Sequence, residues 1–115
     1  MTKHTLYGLK NCDTCKKALK ALEANGSEVM FIDIRQDADL EAKVPHWLKQ
    51  IGTEKLLNKR STTWRNLSET EQEGALTNQT ESTLISNPTL IKRPVIETGK
   101  KLTAGWTKDV QAEHL

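Results

Sequence analysis

An α/β fold on a mixed sheet, with a helical segment inserted in its middle, is what this 115-residue sequence predicts. Three observations predict it. A strand, a helix and a second strand follow one another between His4 and Ile34. Residues 39 to 87 then carry only helical signals, and β character returns on either side of Gly99-Lys100. That order implies helices layered on a sheet.

The opening run "HTLYGL" has β character and ends at Lys10-Asn11. From Asp13 the pattern turns helical: Cys15, Ala18, Leu19 and Leu22 share one face, and Lys16, Lys17, Lys20 and Glu23 take the other. Asn25-Gly26 stops this helix, because both residues tolerate the left-handed conformation of a C-terminal cap. "EVMFIDI", residues 28 to 34, is apolar and β-branched and reads as a buried strand. Strand, helix and strand in so short a span predict parallel strands joined by a right-handed crossover.

In the middle, "DADLEAKVPHWLKQIG" predicts a helix with Pro45 in its first turn or a break near it, ended by Gly52. "TEKLLN" starts another helical turn. "SETEQEGALT" and "TESTLISN" predict two more helices, each opened by a capping Ser or Thr, and Ser68 with Glu71 has capping-box spacing. Near the end, "RPVIET" and "KLTAG" flank Gly99-Lys100 as a hairpin, and "TKDVQAEHL" predicts a closing helix. The expectation is one domain over residues 1–115, with a core of 1–38 and 88–115 and a helical insert of 39–87.

Composition narrows the function. Charged residues make up 28% and apolar residues 36%, which fits a globular domain. The net charge is +2 and the basic residues are scattered, so no nucleic-acid arm and no basic membrane-binding helix is predicted. Tyr7, Phe31, Trp47, Trp64 and Trp106 are too few for a base-stacking platform. No apolar run is long enough to cross a bilayer, and "MTKHTLYGLK" lacks the apolar stretch of a signal peptide. A cytoplasmic location is expected, with thiols resting reduced, and neither a membrane nor a nucleic acid as partner.

The chemistry centres on "NCDTC", which holds both cysteines, Cys12 and Cys15. A structural zinc site needs four ligands, and His4, His46 and His114 have no matching spacing, so no metal is expected. Cys15 lies on the apolar face of its helix and reads equally as core filler or as a resolving or switch thiol. Cys12 falls at the strand-to-helix junction. There the first-turn N–H groups and the positive end of the helix dipole favour a thiolate, with Lys16 and Lys17 adding positive charge and Asp13 opposing. A lowered pKa and a nucleophilic Cys12 are expected. A Cys-x-x-Cys pair beside a βαβ pattern reads as a thioredoxin-like redox motif.

Two further stretches, "LLNKRSTTWRNL" and "IKRPVIETG", supply Arg60, Arg65 and Arg93. Most arginines are solvated surface charges. Arg93 stands directly before Pro94 at the start of a strand, where a proline can be cis and the turn constrained. An arginine fixed there could face the Cys12 helix start, and a guanidinium fork suits oxyanions and carboxylates.

"YGLKNCDTCKKALKALEANG", "FIDIR", "LLNKRSTTWRNL" and "NPTLIKRPVIETGKKLTAGW" together resemble the arsenate reductase and Spx (ArsC/Spx) superfamily, within it the YffB-like group. The resemblance implies a thioredoxin-like fold with a helical insertion. It implies a thiol oxidoreductase with glutathione as co-substrate, no bound cofactor, and glutaredoxin as a further partner. It makes Cys12 the catalytic cysteine and Arg60 and Arg93 oxyanion-binding arginines, the second beside a cis-proline. With Asn11 and Pro94 these form the candidate substrate- and anion-binding set. A third arginine of the arsenate reductases is absent: "LTAGWTKDV" has Trp106 and Lys108 there. Cys15 departs from the arsenate reductases and is similar to the Cys-x-x-Cys switch of Spx. Two alternatives stand beside the oxidoreductase: arsenate reductase proper, and a redox-sensing transcriptional regulator of the Spx kind that binds RNA polymerase.

Overall fold

The computed structural model describes residues 3–99 and 101–115. They fall into two compact units, one of residues up to Ala38 together with Arg93–Leu115, the other of Asp39–Lys92.

The first unit holds the sheet. Strands β1 (Lys3–Gly8), β2 (Glu28–Asp33), β3 (Val95–Thr98) and β4 (Lys101–Ala104) lie in the order β2-β1-β3-β4. β1 runs parallel to β2 and antiparallel to β3, and β3 is antiparallel to β4, so the sheet is mixed as expected. Helix α1 (Asp13–Ala24) connects the parallel pair. With a βαβ half followed by a ββα half, the topology is thioredoxin-like. The strand alternation sorts side chains onto two faces. Leu6 and Ile96 are directly paired, and both join Cys15, Ala18 and Leu22 of α1 in a fully buried cluster. Val29, Phe31 and Trp106 pack against it. On the other face Tyr7 donates to Glu97 at 3.0 Å.

The strand at 28–34 is not buried. β2 stands at the sheet edge, Met30 is 64% exposed, and only Ile34, just past its end, is fully enclosed. An edge strand is open to solvent along one side, so β-branched content alone overstated its burial. The α1 boundaries agree with the cap signals: Asn25 is the C-cap and Gly26 has φ 84°. In the hairpin, Gly99 has φ 53°, a conformation that favours glycine; Lys100 lies outside the described residues.

The second unit contains α2 (Leu40–Ile51), α3 (Thr53–Leu56), α4 (Thr62–Asn66), α5 (Glu69–Leu76) and α6 (Thr80–Ser86), then a short 3-10 turn at Pro88–Leu90. Pro45 neither sits in the first turn of α2 nor breaks it; the helix runs on through residue 51. Its missing N–H costs one backbone bond. Burial of Leu40, Val44 and Trp47 along one face offsets that cost. Ser68 and Glu71 form the expected capping box. Thr80 does not cap α6: Gln79 is its N-cap, and the Thr80 hydroxyl donates to the Ala75 carbonyl at 2.6 Å. Helix α4 was not expected; Ser61 caps it by accepting from the Trp64 N–H. An antiparallel bridge between Leu57 and Ile91 ties the segment after α3 to the end of this unit.

Helix α7 (Lys108–His114), capped by Thr107, closes the first unit. Its His114 is buried, stands edge-on to the buried His4 with ring centroids 5.1 Å apart, and shares a 2.8 Å hydrogen bond with the Thr103 hydroxyl. Burial above all, then the neighbouring His4 and Lys101, push the His114 pKa down to about 4, against a small opposing pull from Glu113; burial also lowers that of His4. Both imidazoles are therefore neutral in the fold. A folded-state pKa below the unfolded value stabilises the fold above that unfolded value, about 6.5. The contribution is lost as pH falls from there towards 4. The melting temperature should therefore drop between neutral pH and pH 4, and His114→Gln should flatten part of that drop. An unchanged slope in the variant would mean that other groups carry the acid sensitivity.

Candidate active site

The site begins where β1 ends. A turn closed by the Cys12 N–H donating to the Leu9 carbonyl (3.1 Å) delivers Cys12 as the N-cap of α1, in extended conformation, with its carbonyl accepting from Lys16 N–H at 3.0 Å. Cys12 is half-buried, and Cys15, three residues on, is fully buried. Both are free thiols.

An N-cap side chain faces the amide three residues ahead, which in a helix has no intrahelical partner. The Cys12 side chain makes no cap hydrogen bond. Its thiolate is another matter. Burial alone would raise its pKa, but the nearby Cys15 amide, Cys15 thiol and Arg93 guanidinium favour the thiolate. Together with the guanidinium charge they bring the pKa below the ordinary thiol value. The strongest contributions come from Cys15 and Arg93; Lys16 and Lys17, expected to assist, are exposed on the outer side of the first turn and are not among them. Cys15 behaves oppositely. Burial first, opposed by the Leu9 amide and more weakly by Arg93 and reinforced by the adjacent Cys12, pushes its pKa up to about 12. The two sulfurs form an asymmetric pair: one shifted towards the thiolate, the other held as a thiol.

Arg93 precedes a cis peptide bond to Pro94. Pro94 is buried, and its carbonyl accepts from Gly105 N–H at 2.9 Å, which fixes the start of β3. Arg93 is half-buried with its Nε enclosed, not the exposed charge that sequence reasoning assumes by default. Cys12, Cys15 and Arg93 are therefore brought together. Asn11 is exposed in the turn directly before Cys12. Trp106 packs on the same apolar cluster as Cys12, and Lys108 is exposed at the start of α7.

Arg60 belongs to the second unit. It is exposed in the turn before α4; its N–H donates to Asn58 Oδ1 at 3.1 Å, and its carbonyl accepts from the Arg65 guanidinium at 3.3 Å. Among the described residues no three His, Cys, Asp or Glu side chains gather as metal ligands would. A cavity of roughly 940 Å³ in the first unit lies at the other end of β1, lined by Lys3, His4, Thr98, Lys101 and His114, away from the sulfurs.

Sequence reasoning missed the His4–His114 contact and the close approach of Gly8 to Cys15. No local pattern signals either, since both depend on how a helix packs against β1.

The ArsC family model matches residues 7–113, a span that takes in the thiol pair, Arg60, Arg93 and Pro94. An uncharacterized protein of Haemophilus influenzae is 46% identical over 110 residues, covering 94% of this chain and 96% of its own. Among solved structures, the YFFB protein has a TM-score of 0.82 at 32% identity, covering 97% of this chain and 98% of its own. A protein of Brucella melitensis described as arsenate reductase (ArsC) related has a TM-score of 0.75 at 34% identity, covering 97% and 93%. This chain belongs to the ArsC family.

Proposed function

We propose that this protein is a cytoplasmic thiol oxidoreductase that exchanges disulfides through Cys12, with glutathione as co-substrate. The observation that carries the reading is the asymmetric pair: a Cys12 sulfur favoured as thiolate by Cys15 and Arg93, beside a Cys15 held as thiol. The thiolate is the nucleophile in exchange, and the environment described favours it at one sulfur only.

The first step is attack of the Cys12 thiolate on one sulfur of a disulfide. A Cys12 mixed disulfide forms, the substrate S–S bond breaks, and the other half leaves as a thiolate. Once Cys12 is covalently bound its negative charge is gone, and with it one of the influences that hold Cys15 protonated. Cys15 then gives its proton to solvent and attacks the Cys12 sulfur. The second substrate thiolate leaves, and a Cys12–Cys15 disulfide remains. Glutathione reduces that disulfide in turn and is itself oxidised. Arg93 holds the thiolate before attack, and with Asn11 it offers donors and charge to an anionic group such as a glutathione carboxylate, with Pro94 fixing the turn that carries it; Arg60 is a further cation suited to the same class of group. The reading favours disulfide over arsenate as substrate. Arg93 is the cation that acts on Cys12, and the segment around Trp106 supplies an apolar wall where a further arginine would assist an oxyanion.

Incubation with oxidised glutathione at neutral pH, followed by peptide mass spectrometry, tests this. Wild type should pass through a glutathione adduct on Cys12 to a Cys12–Cys15 disulfide that dithiothreitol reverses. Cys15→Ser should stop at the Cys12 adduct. An adduct on Cys15, or none, would contradict the reading; a stable Cys12 adduct in wild type would leave resolution to a second glutathione and remove Cys15 from that role. In Arg93→Ala the Cys12 thiolate loses a donor and a charge, so adduct formation near neutral pH should slow severalfold and recover as pH rises. Equal rates at every pH would take Arg93 out of the site.

A further inference from the structure

Gly8 is the last residue of β1 and is buried. It is not among the glycines with positive φ, so its backbone conformation does not require glycine. Space does. A Cβ built there would lie 2.5 Å from the Cys15 sulfur, 3.2 Å from Cys15 Cβ and 3.3 Å from Leu6 Cδ2. Cys15 and Leu6 are fully buried in one cluster with Ala18, Leu22 and Ile96, so neither can step aside cheaply. The amide of Leu9, the next residue, also acts on the Cys15 sulfur.

We propose that Gly8 is a positioning residue for the thiol pair: its bare α-carbon is the seat in which the Cys15 sulfur rests, and that seat keeps the Cys15 thiol in reach of the Cys12 sulfur. The inference rests on the reading of Cys12 as the reacting thiolate. A methyl group at position 8 must turn the Cys15 side chain or lift the first turn of α1. Either change moves the Cys15 thiol relative to the Cys12 sulfur while leaving Cys12 and Arg93 unsubstituted.

A double-mutant cycle tests it, with the Cys12 titration midpoint read from ultraviolet thiolate absorbance in wild type, Gly8→Ala, Cys15→Ala and the double variant. Gly8→Ala should raise the Cys12 midpoint when Cys15 is present. Below the midpoint, alkylation should then slow about tenfold for a midpoint that lies one pH higher. In the Cys15→Ala background the Gly8 change should add nothing. An equal rise in both backgrounds, or none in either, overturns the proposal. If Gly8→Ala fails to fold, the melting temperatures decide: removing the sulfur should make the double variant fold and melt higher than Gly8→Ala, and a double variant no more stable overturns the proposal. A wild-type Cys12 midpoint at the ordinary thiol value would instead overturn the reading of Cys12 itself, whatever Gly8 does.

Discussion

The convergence of donors on the Cys12 sulfur is the interaction on which the rest of this molecule's chemistry depends. A half-buried sulfur would ordinarily resist ionisation. Here the resistance is overcome by a backbone amide that the helix cannot satisfy, a neighbouring thiol and one guanidinium. Each comes from a different part of the first unit's construction. The amide exists because α1 starts at Asp13, the thiol because Cys15 falls on the buried face, and the guanidinium because β3 begins directly after Arg93-Pro94.

The fold's task is to keep those three in register. Leu6 and Ile96, paired across β1 and β3, anchor Cys15, Ala18 and Leu22, so α1 cannot slide along the sheet without opening a fully buried cluster. Loss of one such buried leucine typically costs about 2–5 kcal/mol. Trp106 leans on the same cluster, and α7 is tied back through the Gln111 side chain to the Trp106 carbonyl and through His114 to Thr103. The thiol pair at the helix start and the packing at α7 thus share one apolar layer.

Much of this was legible in the sequence, and the limits have physical causes. Short-range rules succeeded where the energetics are local. The apolar spacing of Cys15, Ala18, Leu19 and Leu22 set the face of α1; Asn25-Gly26 set its end; Ser68 and Glu71 set the start of α5. The N-cap placement of Cys12 was legible because the strand-to-helix junction is defined locally. Rules failed where the partner comes from elsewhere in the chain. The lysines next to Cys12 in sequence point to solvent, and the cation that matters arrives from beside Pro94. The strand at 28–34 was read as buried because its composition does not reveal that it lies at an edge. Pro45 reads as a break, although apolar burial carries α2 through it. Gly8 looks like an ordinary turn signal until the Cys15 sulfur is seen against it.

The claim at the centre of this account is that one of two sulfurs three residues apart is an anion and the other is not. Competitive alkylation of the native wild-type protein with a limiting reagent, across a pH series and with each cysteine quantified by mass spectrometry, tests it most directly. The account predicts labelling of Cys12 with a midpoint below that of an ordinary thiol, and Cys15 unlabelled throughout the range in which the protein stays folded. Equal labelling of the two, or labelling of Cys15 first, would contradict it.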